Sequence, residues 1–359
     1  MQMLVVSLIG NSKIITSVMA VQNNAPLPDG LEIAGYRIVK KIASGGFSIV
    51  YLAHDEDGNA VAIKEYLPSS LALREPGELV PAISAENLPV FRMGLKCFFE
   101  EGRALARISH PNVVSVVNFF RANDTVYMVM AYESGRSLQE HILRRRDKGE
   151  KLLVSERFIR KMFNQVMNGL REVHASKLLH LDLKPANIYL RMDGTPILLD
   201  FGAARQTLTT DTPRLSPMYT PGFAPGELHM RDGNLGPWTD IYSIGASMYA
   251  CMTGTPPQPV DQRKNNDRLD EQLRRLEPLY SRQLLDVIRW SLHVDPQQRP
   301  QSVFALQKAL REPAEAVAEP SPVLAPAGSL AQRLKGWLGL RTRDKAPVRN
   351  EATTEQPFP

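Results

Sequence analysis

Cysteine is nearly missing from this chain: among 359 residues only Cys97 and Cys251 carry a thiol, far apart and without metal-ligand spacing. That excludes a disulfide framework and a thiolate metal centre, leaves two single buried thiols as the expectation, and fits a reducing cytoplasm. Long apolar runs are missing as well. Met3–Ile9 is apolar, but Gly10-Asn11-Ser12-Lys13 interrupts it and no basic stretch precedes it. It falls far short of the roughly 20 apolar residues that a spanning helix needs. Residues 1–35 therefore read as a leader with no spanning helix, with Met19 as the expected natural start and a signal peptide as the lesser alternative. An excess of one charge sign is missing from the body of the chain. Of the net charge of +5, the stretch Ser329–Arg349 holds six Lys/Arg against Asp344, and the remainder carries 37 basic and 37 acidic residues. A nucleic-acid-binding body is excluded on that balance, and any basic effect belongs to the tail.

What is present is apolar residue enough (43%) for packed cores. Tyr36–Ile42, Ile49–His54 and Ala60–Tyr66 read as three strands, broken at Ser44-Gly45-Gly46 and Asp55-Glu56-Asp57-Gly58. Pro68–Gly94, with Pro76, Pro81 and Pro89, is too proline-rich for a regular element and is expected to be a functional or mobile loop. Leu95–Ile108 shows helical spacing, with Gly102 as a weak point costing about 1 kcal/mol relative to Ala. Val114–Arg121 and Val126–Tyr132 read as two further strands. Beyond Gly135 the pattern turns helical: a stretch capped by Ser155 and running to Ala175, a nearly all-apolar Trp238–Thr253, and an amphipathic Ser281–His293. Strands first and helices second predict an α+β fold with a cleft between a small sheet lobe (36–133) and a larger helical lobe (134–311). Glu312–Gly328 is a Pro/Ala/Glu-rich linker. The tail 329–359 offers a short amphipathic helix with Leu330, Leu334, Trp337 and Leu338 on one face.

The chemistry concentrates in His180-Leu181-Asp182-Leu183-Lys184-Pro185-Ala186-Asn187-Ile188, followed by Asp200-Phe201-Gly202. A carboxylate able to accept a hydroxyl proton, an ammonium able to meet phosphoryl charge, and two hard oxygen donors suited to Mg²⁺ are what phosphoryl transfer asks of a protein. Lys64, in Val61-Ala62-Ile63-Lys64, lies on a strand expected to be buried, where an ammonium requires a partner. On the helix beyond, Glu101 and Glu100 point about 100° apart, so only one of them can be that partner.

These segments resemble the catalytic and metal loops of the protein kinase family, and the order of motifs from Tyr36 to Leu310 is similar throughout. The turns around Lys64-Glu65-Tyr66-Leu67-Pro68 and Leu199-Asp200-Phe201-Gly202-Ala203-Ala204-Arg205 resemble the bacterial serine/threonine branch. The resemblance implies a two-lobed kinase fold binding ATP and Mg²⁺ and acting on Ser/Thr of proteins. It implies Asp182, Lys184, Asn187 and Thr220 as catalytic residues, and Asn187 and Asp200 as metal ligands. Around the nucleotide it implies Ile42, Gly45, Val50, Ala62, Lys64, Glu101, Met130, Ala131 and Glu133, with Glu101 pairing Lys64 and the backbone of Ala131 and Glu133 facing the base. It also implies that Thr220 contacts Asp182 and Lys184, that Glu227 pairs with Arg299, and that Asp240 anchors the catalytic loop. Lys184, two residues after Asp182, favours serine/threonine over tyrosine substrates by the same resemblance.

The chain departs from the family pattern at four places. Ala43 and Ser48 replace two glycines of the nucleotide-covering loop, Gly226 replaces a proline, and Leu181 stands where the family usually has arginine. Leu181 cannot make the charge-assisted bond that pairs arginine with a phosphorylated activation segment. Activity without activation-loop phosphorylation is therefore expected, with control in Pro68–Gly94 or in the tail. Thr207, Thr209, Thr210, Thr212 and Ser216 are phosphoacceptor candidates of equal standing. Two other readings remain: a pseudokinase scaffold, suggested by the depleted glycine loop and Leu181, and a small-molecule kinase. The basic tail at 329–349 is expected to meet an anionic membrane or a partner protein, making the chain cytoplasmic with peripheral membrane attachment.

Overall fold

The computed structural model describes residues 24–150, 153–201, 205–206, 220–230 and 233–311. The leader up to residue 23, the linker and tail beyond 311, and the five phosphoacceptor candidates lie outside them.

The first lobe is built on a six-stranded antiparallel sheet. Its strands are β1 (Glu32–Ile33), β2 (Tyr36–Ser44), β3 (Ser48–His54), β4 (Ala60–Tyr66), β5 (Val116–Ala122) and β6 (Thr125–Ala131), in the order β1-β2-β3-β4-β6-β5. Side chains alternate across a strand, so the register decides which residues share a face. Val50 lies opposite Lys64, Leu52 opposite Ala62, Met128 opposite Lys64 and Met130 opposite Ala62. These residues therefore line one face. Ile49, Tyr51, Ile63, Glu65, Tyr127 and Val129 line the other, and all six are buried.

The helix α1 (Leu88–Leu105) crosses the Lys64 face. It begins seven residues earlier than the expected Leu95, so the last seven residues of the supposed loop, Leu88 to Gly94, are helical. Pro89 is the reason: in the first turn its missing N–H costs no helical hydrogen bond, so it starts the helix instead of breaking it. Gly102 is not the weak point its propensity suggests. A Cβ there would stand 2.1 Å from the Phe119 ring and 2.8 Å from Met128, so glycine is what lets the helix approach the sheet. Gly94 does the same against the Tyr66 hydroxyl, with 1.8 Å. Tyr66 in turn packs between Phe91 and Phe98, at ring centroid distances of 5.3 and 5.7 Å.

The second lobe starts with β7 (Gly135–Ser137) and α2 (Leu138–Asp147), whose start is fixed by a capping box between Ser137 and Glu140. In α3 (Glu156–Ala175) the hydroxyl of Ser155 accepts from Phe158 N. Its buried stripe of Ile159, Met162, Phe163, Val166, Met167, Leu170 and Val173 forms the axis of this lobe's core. At roughly 1.5–3 kcal/mol for each fully buried large apolar side chain, that stripe is a main source of the lobe's stability. After β8 (Leu178–Leu179), β9 (Ile188–Arg191) pairs with both β7 and β10 (Pro196–Leu198), and β11 (Arg205–Gln206) pairs with β8. Then come α4 (Pro237–Thr253), buried along most of its length, and α5 (Val260–Arg263), α6 (Leu269–Arg274), α7 (Arg282–Ser291) and α8 (Val303–Arg311). Of the two cysteines, Cys251 is buried in α4, whereas Cys97 is exposed on the outer side of α1. That corrects the expectation of two buried thiols: helical phase turns residue 97 away from the sheet while Phe98 turns in.

The connection between α1 and β5 lies along the second lobe, Val114 N and Leu198 N bonding the carbonyls of Leu198 and Asn112 across it. Arg191 grips Glu133 through two bonds of 2.7 and 2.8 Å and reaches the Pro111 carbonyl at 2.9 Å. Both chain crossings between the lobes are thus tied to the β9–β10 hairpin.

Candidate active site

The loop between β8 and β9 is held from below by one buried carboxylate. Asp240, near the start of α4, accepts from the backbone N–H of His180 (2.9 Å) and of Leu181 (2.8 Å), and from His174 Nε2 (2.8 Å). Burial alone would raise its pKa; the hydrogen bond and charge of His174 outweigh that and hold it below the usual carboxylate range. The grip sustains an uncommon backbone. Leu181 has φ +62°, a left-handed conformation that a leucine adopts only when its surroundings impose it.

His180 joins the two motif segments. Its Nδ1 accepts from Asp182 N at 3.4 Å, its Nε2 faces the Leu199 carbonyl at 3.1 Å, and its ring lies 4.3 Å from that of Phe201. Burial lowers its pKa against the pull of the Asp240, Asp182 and Asp200 carboxylates. A neutral ring with the proton on Nε2 satisfies both contacts. The sequence marked His180 only as the first letter of a motif; a histidine two residues before the key aspartate was the available signal.

Asp182 stands in the cleft with 27% of its side chain exposed. Lys184 Nζ donates to both of its oxygens (3.0 and 2.8 Å) and to the Thr220 hydroxyl (3.0 Å). Asn187 Nδ2 donates to the Asp182 carbonyl (2.8 Å) and to Asp182 Oδ2 (3.0 Å), which leaves its Oδ1 as an acceptor. The Thr220 hydroxyl thus meets Lys184 as expected, accepting from its ammonium, and among the described residues it makes no hydrogen bond with Asp182.

From the upper lobe, Lys64 Nζ forms an ion pair with Asp200 Oδ1. Asp200, at φ +54°, keeps 46% of its side chain exposed. Burial works against the Lys64 ammonium, and the Asp200 charge beside it outweighs that and raises its pKa; by the converse, Asp200 is held below the usual carboxylate range. The expected pair of Lys64 with Glu101 is not formed, which is a correction. Glu101 does turn inward while Glu100 turns to solvent, but its Oε1 is buried without a hydrogen-bond partner. Burial pushes the Glu101 carboxyl up to about 8 against the pull of Lys64. The ammonium pairs with Asp200 instead, with the Glu101 charge as a further pull on it.

The remaining nucleotide-side residues fall where the register puts them. Val50, Ala62 and Met130 share the face of Lys64. Ala131 closes β6, its N–H bonded to the Ser115 carbonyl at 3.0 Å, and Glu133 follows in the crossing, its side chain taken by Arg191. Ile42 and Phe47 are exposed beside the turn at Gly45, where Gly45 N bonds the Ser48 carbonyl at 2.9 Å.

Below the cleft Glu227 and Arg299 form a buried two-bonded pair (2.7 and 3.2 Å), with Tyr242 4.9 Å beneath the guanidinium. Gly226 stands beside this pair. It is buried at the start of a short 3₁₀ turn (Gly226–His229), and Val260 lies in ordinary contact range of where a Cβ would stand. Leu181, only 6% exposed, packs with Leu179, Ala224 and Leu228. The residue in the arginine position thus binds the end of the segment after Asp200 by apolar contact.

The sequence profile of the protein kinase domain matches residues 36–313, and the chain belongs to that family. It is similar to human serine/threonine-protein kinase Nek5, 28% identical over 284 residues that cover 77% of this chain and 36% of the relative. It is also similar to serine/threonine-protein kinase PknA of Nostoc sp., 26% identical, covering 63% of this chain and 38% of the relative. Serine/threonine-protein kinase B of Synechocystis sp. is 25% identical, with 77% and 46% covered. The chain therefore spans less than half the length of these curated relatives. Among solved structures, one titled "PpkA-294 apo form" superposes with a TM-score of 0.68 at 33% identity, covering 79% of this chain and 99% of that one. The fold is that of the protein kinases, as the resemblance implied, with the α+β order of strands first and helices second. No described helix is long and apolar enough to cross a membrane.

Proposed function

We propose that this chain is an ATP- and Mg²⁺-dependent kinase that phosphorylates serine and threonine hydroxyls of proteins. The observation that carries the reading is the Lys184 ammonium lying between the Asp182 carboxylate and the Thr220 hydroxyl, with Asp200 paired to Lys64. Asp182 takes the proton of the attacking hydroxyl as the oxygen bonds to the γ-phosphorus. The bond from that phosphorus to the bridging oxygen breaks, and ADP leaves with the electron pair. Lys184 meets the charge on the moving group, and Thr220 holds the ammonium in place.

Asp200 and the Oδ1 of Asn187 are hard oxygen donors fitting Mg²⁺, which keeps waters and phosphate oxygens as its other ligands and needs only one or two carboxylates from the protein. Bound there, Mg²⁺ neutralises phosphate charge. Val50, Ala62 and Met130 give the apolar walls for the base.

Leu181 supports activity without a phosphate on the activation segment, because its apolar cluster, not an arginine–phosphate bond, anchors the segment's end. Radiolabel transfer from ATP by the full chain, with phosphoamino-acid analysis, tests the whole reading. Asp182→Asn is expected to lose transfer by about 10²–10⁴-fold while retaining nucleotide binding. Undiminished transfer, or transfer to small molecules only, overturns the assignment. Phosphatase-treated protein is expected to work at the untreated rate, and a strict need for phosphate between Gln206 and Thr220 overturns the Leu181 argument. The basic, partly apolar segment 329–349 supports attachment to an anionic membrane. Equal co-sedimentation with phosphatidylglycerol vesicles in the presence and absence of residues 329–359 would end that idea.

A further inference from the structure

Glu65 follows Lys64 on β4, so it points to the opposite face of the sheet, where it is buried under a segment that the kinase reading does not use. Its two oxygens accept four bonds. Arg74 supplies two (2.6 and 2.7 Å), and the hydroxyls of Tyr51 (2.7 Å) and Tyr127 (2.8 Å) supply the others. Arg74, equally buried, comes from the proline-rich insert after β4. All five of its guanidinium N–H groups are used. Beyond the two on Glu65, they reach the Ala25 carbonyl (2.8 Å), the Tyr51 hydroxyl (2.9 Å) and the Leu79 carbonyl (3.4 Å).

The same arginine gathers the chain ahead of the first strand. Its backbone N–H donates to Asn24 Oδ1 (2.7 Å) and its carbonyl accepts from Ala25 N (2.9 Å). Leu27 N donates to the Tyr51 hydroxyl (3.1 Å), and the Leu27 side chain is buried in the sheet lobe's core. The start of the insert holds the other end of the lobe. Leu67 N bonds the Phe47 carbonyl and Ser69 N the Gly46 carbonyl, both at 2.9 Å, which ties down the tip of the loop between β2 and β3. Asn24 Nδ2 reaches the Leu67 carbonyl at 3.4 Å, closing the circuit.

We infer that Arg74 is a positioning residue for the nucleotide site and that Asn24–Leu27 is its strap. Resting on the kinase reading, the inference is that the clamp on Glu65 sets the strand carrying Lys64, and that the insert sets the height of the Gly45–Phe47 tip over the nucleotide. A depleted glycine loop, with Ala43 and Ser48 in place of two glycines, gains its placement from this outer anchorage. Neither effect needs Arg74 to touch the nucleotide.

The test uses full-length Arg74→Lys, Tyr51→Phe and Asn24→Ala, measuring KM for ATP, kcat, and the affinity for a non-hydrolysable ATP analogue with Mg²⁺. Lysine keeps the charge but cannot make five bonds in a fixed fork. Arg74→Lys is expected to raise KM for ATP about five- to tenfold and Asn24→Ala about two- to threefold, with kcat within about twofold in both. Tyr51→Phe is expected between them. Lowered melting temperatures with unchanged KM and analogue affinity would make Arg74 merely structural and overturn the inference. If Arg74→Lys does not fold, Asn24→Ala decides, because it leaves the Glu65–Arg74 pair intact; an unchanged KM there overturns the strap. Failure of the wild-type chain to bind the analogue would overturn the kinase reading and this inference together, whereas binding that no variant alters overturns this inference alone.

Discussion

Lys64 and Glu65 are neighbours on one strand, yet they belong to two charged clusters with opposite character. On the outer face, Glu65 and Arg74 are shut away from water, with every lone pair and N–H between them occupied by Tyr51, Tyr127 and backbone carbonyls. On the cleft face, Lys64 pairs with an Asp200 that is 46% exposed, Asn187 keeps a free acceptor, and Glu101 has a buried oxygen with no partner. A saturated network has nothing left to bind and serves to fix backbone; an unsaturated one has capacity for a substrate, a proton or a cation. The strand's alternation places the rigid cluster directly behind the reactive one.

The sharpest way to break this contrast is Arg74→Met. It leaves the Glu65 carboxylate buried without a counter-charge, and unfolding free energy measured in urea is expected to fall by about 3–5 kcal/mol. Adding Glu65→Gln should recover part of that loss, since the amide needs no counter-ion. Glu101 comes next, through pH. Folding raises its pKa from the ordinary carboxylate value to about 8. Its stability contribution is therefore full below the ordinary value, is lost as pH rises, and is gone once pH passes about 8. Glu101→Gln, neutral throughout, should melt a few degrees above wild type at about pH 9 and converge with it towards acid pH. A constant gap across that range would remove the burial argument. The smallest stability effect belongs to Lys64→Met, at no more than about 1 kcal/mol, because Asp200 regains water when its partner is removed. Nucleotide affinity, not stability, is what that change should reduce. A large loss of stability there would erase the distinction between the two faces.

Much of the candidate site was legible because it is local. Asp182, Lys184 and Asn187 lie within one loop, and Asp200 follows after one hairpin. The pair of Glu227 with Arg299 was also legible, since each sits in its own recognisable run. The helix start at Leu88 was missed because Pro89 reads as a breaker unless its place in the first turn is known. The partner of Lys64 was misread because the pairing with Asp200 spans the cleft between two lobes, which no local pattern reports. Arg74 gave no signal at all: a single arginine among prolines looks like a solvated loop, and Tyr51, Tyr127 and Ala25 come from elsewhere in the chain.

The sequence by itself determined the class of fold, the order of elements and the chemical kinds of residue in the cleft, because hydrophobic period, turn residues and short-range spacing are written along the chain. Only the tertiary structure decided which charges meet. Whether a carboxyl keeps its proton, and which ammonium or guanidinium lies beside it, depends on burial and on groups brought from 9 to 136 residues away, as with Arg74 on Glu65 and Asp200 on Lys64.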